Sequence, residues 1–202
     1  MNLAHLSSLM ISTAVLLLAG MMSSGCIVVS LQPVYDDSSV VFDQALVGNW
    51  VNAEEETSVA IERAEWRSYK AAYTDRFATR NFHGNLTRIG DATWLDLTEV
   101  RGEEGGPFLL PVHGVYRVSV AGDVLSASPL EYGWMTRAID QKGPRGLNAI
   151  VDGRRNVVIA SPTAELRKWL ASAPAEAVGV PTNYKRAGGA AGKAGGAGGS
   201  RQ

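Results

Sequence analysis

Three pairs of adjacent glycine and aspartate constrain the fold of this chain more than any other feature of its 202 residues. Gly90-Asp91, Gly122-Asp123 and Asp152-Gly153 each lie between two runs of strand-forming residues. Such a dipeptide between alternating apolar and polar residues is the sequence signature of a β-hairpin. The sequence therefore predicts a series of antiparallel hairpins.

The first two turns also predict the register of their strands. A two-residue loop at the first turn places Leu86 opposite Leu95, and the same count at the second places Val118 opposite Ala127. In both hairpins the apolar residues then share one face, because a slip by one residue would turn them to solvent. This agreement between turn and alternation indicates a sheet that is buried on one face.

Further strand-like segments between Val47 and Thr74 raise the total to about eight or nine strands, which is enough for a closed or nearly closed barrel. Apolar residues make up 46% of the chain and charged residues 19%, as is typical of a globular domain. We therefore predict an α+β fold that is mostly an antiparallel β meander, shaped as a barrel or a strongly curved sheet.

Two short helices complete this prediction. The segment "LEYGWMTRAI", residues 130–139, has apolar residues at helical spacing. A second helix is predicted near residues 162–172, with Ser161 as its N-cap and Pro162 at its first position. We expect it to pack on the sheet or over one mouth of the barrel, with Arg167 facing water. Its apolar stripe consists of Leu166, Trp169 and Leu170.

The only cysteine, Cys26, follows an uncharged apolar run at residues 9–22. That run is short for a membrane-spanning helix, which needs about 20 residues, and suits the apolar region of a signal peptide. The small residues 23–25 before Cys26 resemble the bacterial lipobox, in which the cysteine sulfur receives diacylglycerol and the signal is cut before it. The resemblance implies export and anchoring, to the outer membrane in a cell with two membranes because Ile27 follows the cysteine. The alternatives are an uncleaved anchor helix and an ordinary buried thiol.

The chain divides into four predicted segments. Residues 1–25 form the signal peptide, and residues 26–43 a lipid-anchored tether in which Pro33 argues against regular structure. Residues 44–186 form the β-rich globular domain. The tail, residues 187–202, has seven glycines and five alanines among sixteen residues and is predicted to be disordered.

Several segments resemble an uncharacterised group of bacterial lipoproteins with the pattern C...LxPLY...FxxxLxGxW...YTD...FLDL...PTAEL. The resemblance covers most of the chain from Cys26 to about Ala173, including "LQPVY", "YTD" and "PTAEL". It implies export and lipidation and leaves the biochemistry open. Gly48-Asn49-Trp50 is also similar to the GxW motif of lipocalins, which implies a lipocalin-like barrel whose floor the tryptophan closes. The alternative is that Trp50 is simply a core aromatic residue.

Candidate catalytic residues are few. His83 and His113 are the only histidines beyond the leader, and each lies next to glycine in a predicted strand. Asp96 and Glu99 offer carboxylates, but Asp96 alternates away from its leucine neighbours, so we expect it to be solvated. No hydrolase, nucleotide-binding or metal-binding motif is present, and no catalytic residue, metal or cofactor is assigned. The net charge of −1 argues against a nucleic-acid partner.

Aromatic residues of the domain could line a cavity for an acyl chain or another apolar ligand, or they could fill a solid core. The candidates for such a lining are Trp50, Trp66, Tyr69, Tyr73, Phe82, Trp94 and Tyr116. The sequence thus favours a non-catalytic envelope lipoprotein, bound to a membrane through acyl chains on Cys26, that binds a lipid or other hydrophobic molecule. The alternative interpretations are a structural partner in an envelope assembly and a hydrolytic enzyme.

Overall fold

The computed structural model of the chain describes residues 27–100, 110–141 and 143–188. The described residues form twelve strands and two α-helices. The strands are β1 (Val28–Ser30), β2 (Val40–Val41), β3 (Gly48–Asn52), β4 (Thr57–Arg63), β5 (Ser68–Thr74), β6 (Thr79–Ile89), β7 (Ala92–Glu99), β8 (His113–Ala121), β9 (Val124–Pro129), β10 (Ala149–Val151), β11 (Val157–Ile159) and β12 (Thr182–Arg186). The helices are α1 (Tyr132–Asp140) and α2 (Thr163–Ala171).

Eight of these strands close into an antiparallel barrel. Strands β3 to β9 pair with their neighbours in chain order, and β12 completes the ring between β9 and β3. The predicted α+β, barrel-like fold with two helices, the last one packed on the sheet, is confirmed. The closing strand β12 is not among the strands that the sequence predicts.

Both hairpin registers predicted from the first two turns are confirmed. Leu86 pairs with Leu95, and Val118 pairs with Ala127. The glycines that begin these turns have φ values of 59° and 58°. A two-residue hairpin turn requires this left-handed conformation, which glycine adopts without steric cost.

The third turn differs from the first two. Strands β10 and β11 pair with Val151 opposite Val157, so that residues 152–156 form a longer loop. The carboxylate of Asp152 accepts hydrogen bonds from the backbone N–H groups of Arg154 and Asn156, and these bonds hold the loop. The hairpin predicted at Asp152-Gly153 is present, but its loop has five residues and not the two of the first two turns.

Apolar side chains form two cores, one inside the barrel and one on its outer wall. The inner core includes Leu46, Ile61 and Leu95. The outer core lies between the barrel wall, the two helices and a small side sheet of β1, β11 and β10. Its members include Trp94 and Met135. The residues that face the barrel interior are therefore a different set from those of the outer core.

The floor of the barrel is built around Trp50. The Trp50 side chain is fully buried. Its indole N–H donates a hydrogen bond of 3.0 Å to the carbonyl of Leu46, in the short 3₁₀ turn Gln44–Leu46 that leads into β3. The 3₁₀ turn and the Trp50 side chain together close this end of the barrel.

Arg186, at the end of β12, completes the floor. Its guanidinium carbon lies 4.1 Å from the centre of the Trp50 ring. The same group donates hydrogen bonds of 2.9 Å to the carbonyls of Ala45 and Val47. Gly48 has a φ of 148°, and a Cβ at that position would collide with the guanidinium. A glycine therefore allows the arginine to reach across the floor.

Residues 27–43 belong to the folded body, and the expectation of an irregular tether is wrong for this segment. Strand β1 pairs in parallel with β11, and β2 pairs with β6. Val34 is fully buried, and its backbone N–H donates a hydrogen bond of 2.9 Å to the carboxylate of Asp96. Proline at position 33 interrupts the strands without releasing the segment from the barrel.

The apolar stripe of α2 is buried as predicted, but the start of the helix is different. Helix α2 begins at Thr163, with Pro162 in the cap position. The Ser161 hydroxyl accepts a hydrogen bond from the backbone N–H of Asn148 and caps nothing. The buried residues of the stripe are Leu166, Trp169 and Leu170.

The sequence predicts that Arg167 faces water, but the side chain is half-buried and bonded to the protein. Its guanidinium donates hydrogen bonds to the carbonyl of Val34 at 2.7 Å and to the hydroxyl of Thr87 at 3.0 Å. The side chain therefore ties α2 to the N-terminal segment and to β6. Helical periodicity placed it beside the apolar stripe but could not show which groups lie there.

Candidate functional site

A cavity of about 370 Å³ occupies the interior of the barrel. Leu46 lies at its lower end, next to the floor. Its upper end reaches the solvent beside Glu55 and Arg80, which lie at the end of the barrel that carries the β3–β4 and β5–β6 loops. Inward-facing side chains of the strands make most of the wall. The apolar members are Leu46, Val59, Ile61, Ala71, Phe82, Leu95, Leu97, Val118, Leu125, Ala127 and Pro129.

Three phenol groups interrupt this apolar wall. Tyr73, Tyr116 and Tyr184 come from β5, β8 and β12, and all three line the cavity. Tyr116 is surrounded by protein, yet part of its surface faces the open cavity. Burial is the main cause that raises the pKa of each of these tyrosines above its ordinary value of 10.0. At neutral pH the phenols therefore stay protonated and can donate hydrogen bonds.

Thr57 lies beside these phenols at the start of β4. Its hydroxyl is close enough to Tyr73 and Tyr184 to lower their pKa values against the larger effect of burial. The Thr57 hydroxyl nevertheless makes no well-aligned hydrogen bond with any described residue, although it is buried. The Thr57 oxygen is shielded from solvent and Thr57 is not among the residues that line the lumen, so it acts on the phenols and not on a bound molecule.

Charges at the mouth of the cavity largely compensate one another. The guanidinium of Arg80 donates a hydrogen bond of 2.8 Å to the carboxylate of Asp75. Glu55 lines the same opening. Arg80 is therefore already paired, and no free cation of the described mouth residues faces the lumen to attract an anion.

The structure brings three of the seven candidate ligand-lining residues to the cavity: Tyr73, Phe82 and Tyr116. Two others belong to the inner core near the floor. Trp50 closes the floor, and the Tyr69 hydroxyl both accepts a hydrogen bond from the backbone N–H of Asp43 and donates one to its carbonyl.

Trp66 and Trp94 lie outside the lumen, and their assignment to a cavity is corrected. Trp66 is 65% exposed in the short turn between β4 and β5. Trp94 is buried in the outer core, because it alternates with the inward-facing Leu95 along β7. One residue of the polar wall, Tyr184, is absent from the sequence prediction.

His113 and Asp96 form a buried pair on the outer wall of the barrel. The distance from Nδ1 of His113 to the Asp96 carboxylate is 2.7 Å, and the two side chains are 12% and 1% exposed. The expectation that Asp96 is solvated is therefore wrong, because the N-terminal segment covers it. The pair satisfies one geometric condition for general-base catalysis. It lies outside the lumen, however, and the nearby Ser30 hydroxyl donates its hydrogen bond to the carbonyl of Gln32.

The other candidate catalytic residues, His83 and Glu99, do not join this pair. His83 and Glu99 are exposed on the barrel wall and strand end. Within the described parts of the chain, no group of three or more His, Cys, Asp or Glu residues could hold a metal ion. Neither described helix is long and apolar enough to cross a membrane. Cys26, the predicted signal peptide and the tail beyond residue 188 lie outside the described residues.

A second depression, of about 810 Å³, lies on the outer surface along β3 and β12. It is the larger of the two, but its lining includes Asn52, Glu54, Asn183 and Lys185. Binding pockets are usually enclosed and mostly apolar. The lumen fits this description and the surface depression does not.

Comparison of the chain with protein-family models, curated proteins and solved structures finds no significant match. The class of protein is therefore defined by fold and site alone. It is an eight-stranded antiparallel barrel, closed at one end, with an apolar lumen that carries a few hydroxyl groups.

Proposed function

We propose that this protein is an exported bacterial envelope lipoprotein whose barrel binds a small hydrophobic molecule in its lumen. The observation that carries the proposal is the apolar cavity of about 370 Å³ with three inward-facing phenols. The interior of an eight-stranded barrel is just wide enough to be filled by side chains or to hold one small ligand.

The size and polarity of the lumen define the class of ligand. Its volume lies near the lower end of the roughly 300–1,000 Å³ range of small-molecule sites, which suits one acyl chain or a small ring system. The phenol hydroxyls would meet a neutral polar group, such as an alcohol or an ester. We therefore propose a neutral single-chain or aromatic amphiphile, and not a two-chain phospholipid.

Filling the lumen tests this proposal. Ala71 and Ala72 are neighbours on β5, but Ala71 lines the lumen and Ala72 lies on the outer wall. We expect the wild type to bind the fluorescent probe N-phenylnaphthylamine, and Ala71→Trp to weaken binding by about tenfold or more, or about 1.4 kcal/mol. Ala72→Trp, the matched control, is expected to bind as the wild type does. Fluorescence titration measures both, with decanol as a neutral competitor.

Circular dichroism of both variants separates loss of the cavity from loss of the fold. If Ala71→Trp unfolds, Ala127→Phe fills the same lumen from β9. Equal binding by Ala71→Trp and Ala72→Trp, with both folded, would contradict a lumenal site.

The anchoring part of the proposal rests on Cys26 and on the lipobox resemblance. Acyl chains contribute roughly 0.8 kcal/mol per buried methylene group, so two or more chains hold a protein firmly on a bilayer. In bacteria grown with radiolabelled palmitate, we expect the wild type to incorporate label and to sediment with membranes. Cys26→Ala is expected to lose the label and the sedimentation. A variant that still labels would exclude Cys26 as the acylated residue.

A structural role in an envelope assembly is the second candidate. Apolar residues are strongly exposed at the open end of the barrel, including Phe77 at 86% and Val180 at 88%. Exposed apolar residues of this kind can mark a partner surface as well as the approach to a pocket. If the folded wild type binds neither probe nor competitor, this rim becomes the better supported functional surface.

A further inference from the structure

One face of the side sheet of β10, β11 and β1 packs against the outer core. Val157 and Ile159 are fully buried in the outer core, and Val28 packs against it. Successive side chains of a strand point to opposite faces of the sheet. The residues between these positions therefore lie on the opposite face, away from the barrel.

That opposite face is also apolar. Ile150 pairs with Val158, and Val158 pairs with Val29, so the three form one row across the sheet. Ile27 and Leu31 lie on the same face, two positions before and after Val29. The exposed fractions are 56% for Ile150, 52% for Ile27 and 38% for Leu31, whereas Val29 between them is only 9% exposed. A surface sheet face normally alternates to polar residues, and this one does not.

Basic residues lie at the border of this apolar face. Arg154 and Arg155 are exposed in the loop between β10 and β11. The acid of that loop, Asp152, directs its carboxylate to backbone N–H groups of the same loop. Arg145 is exposed in the segment that precedes β10. Aliphatic side chains bordered by arginines match the interface of a bilayer that contains anionic lipid.

Ile27, the first described residue, is already bound to the side sheet, which fixes the distance between this face and an anchor at Cys26. The Ile27 carbonyl already accepts a hydrogen bond of 2.9 Å from the N–H of Val157. Consecutive Cα atoms are about 3.8 Å apart, so acyl chains on Cys26 would begin within one residue of the sheet. No flexible spacer separates the anchor position from the described body.

We propose that the face made of Ile27, Leu31, Ile150 and Val158 lies on the surface of the bilayer, with Arg154 and Arg155 against anionic headgroups. This inference rests on the proposed lipidation of Cys26. The protein would then be held in a fixed orientation by a second contact, and not carried on a tether.

The single cysteine of the chain makes a direct test possible. In lipidated protein the Cys26 sulfur is blocked, so Ile150→Cys introduces the only free thiol, which is labelled with an environment-sensitive nitrobenzoxadiazole dye. The full chain is reconstituted into phosphatidylethanolamine vesicles that contain phosphatidylglycerol. Val180→Cys, at a site that is 88% exposed at the open end of the barrel, is the matched control.

We expect iodide in the water to quench the dye at residue 150 at least about threefold less than the dye at residue 180, and nitroxide lipids to quench it more. Arg154→Glu with Arg155→Glu should raise iodide quenching at residue 150, and Arg76→Glu should not. Equal iodide quenching at both sites would overturn the proposal. Protection that persists in detergent and grows with protein concentration would assign the face to a second copy, and would overturn it too.

Intact mass of the reconstituted protein separates this proposal from the one on which it rests. A mass with acylated Cys26 and full iodide access at residue 150 refutes the bilayer contact and leaves the anchor intact. A mass with an unmodified Cys26 refutes the anchor, and the proposed face with it.

Discussion

Replacement of Trp50 with alanine is expected to lower the free energy of unfolding by about 3–5 kcal/mol, the usual cost of removing a buried tryptophan from a core. Trp50 is fully buried at the floor, where it joins the 3₁₀ turn to β3 through its bond to Leu46. The variant would also leave Arg186 without the ring on which it lies. Because whole domains are stable by about 5–15 kcal/mol, much of the stability would be lost.

Trp66→Ala is the matched control for this prediction. The side chain is 65% exposed, so its removal is expected to change stability by about 0.5 kcal/mol or less. Urea unfolding followed by far-ultraviolet circular dichroism measures both variants without relying on tryptophan emission. Similar losses for Trp50→Ala and Trp66→Ala would refute the account of the barrel floor.

Asp96→Ala is expected to cost about 3–5 kcal/mol, because it removes one partner of a buried, hydrogen-bonded pair. The substitution would leave His113 without its carboxylate and the backbone N–H of Val34 without an acceptor. The segment that carries β1 would then be held less firmly to the barrel. Urea unfolding gives the loss of stability, and hydrogen exchange at Val34 reports the loosening of the segment.

The exposed ion pair of Arg76 and Glu56 provides the comparison for this variant. Their side chains are 62% and 71% exposed at a separation of 4.0 Å. Arg76→Ala is expected to change stability by about 0.5 kcal/mol or less, because surface pairs contribute little. An Asp96→Ala variant as stable as Arg76→Ala would contradict the structural role assigned to the buried pair.

Alternation along the strands carries more information about the lumen than aromatic character does. Once Leu95 faces inward, the register turns Trp94 outward and places Tyr116, which pairs with Leu95, inward. The prediction treated all seven aromatic residues as one set, although they lie in four different places: the lumen, the floor, the outer core and the surface. The position of Trp94 was accessible from the same register that the Gly90-Asp91 turn predicts.

Other parts of the site could not be derived from local pattern. Asp96 lies on the outer face of its strand, where alternation indicates solvent, and it is buried only because the N-terminal segment crosses above it. Tyr184 lines the lumen from a strand at the end of the chain. Its burial requires pairing with β3 and β9, far away in sequence.

The sequence by itself determined the antiparallel class, the registers of two hairpins and the buried stripe of α2. These features depend on neighbouring residues along one chain segment, through turn conformations and side-chain periodicity. Only the tertiary structure decided that β12 closes the barrel, that the lumen stays open above Leu46, and that a carboxylate on the outer wall is buried. Those outcomes depend on which distant segments cover one another, and that is set by packing of the whole chain.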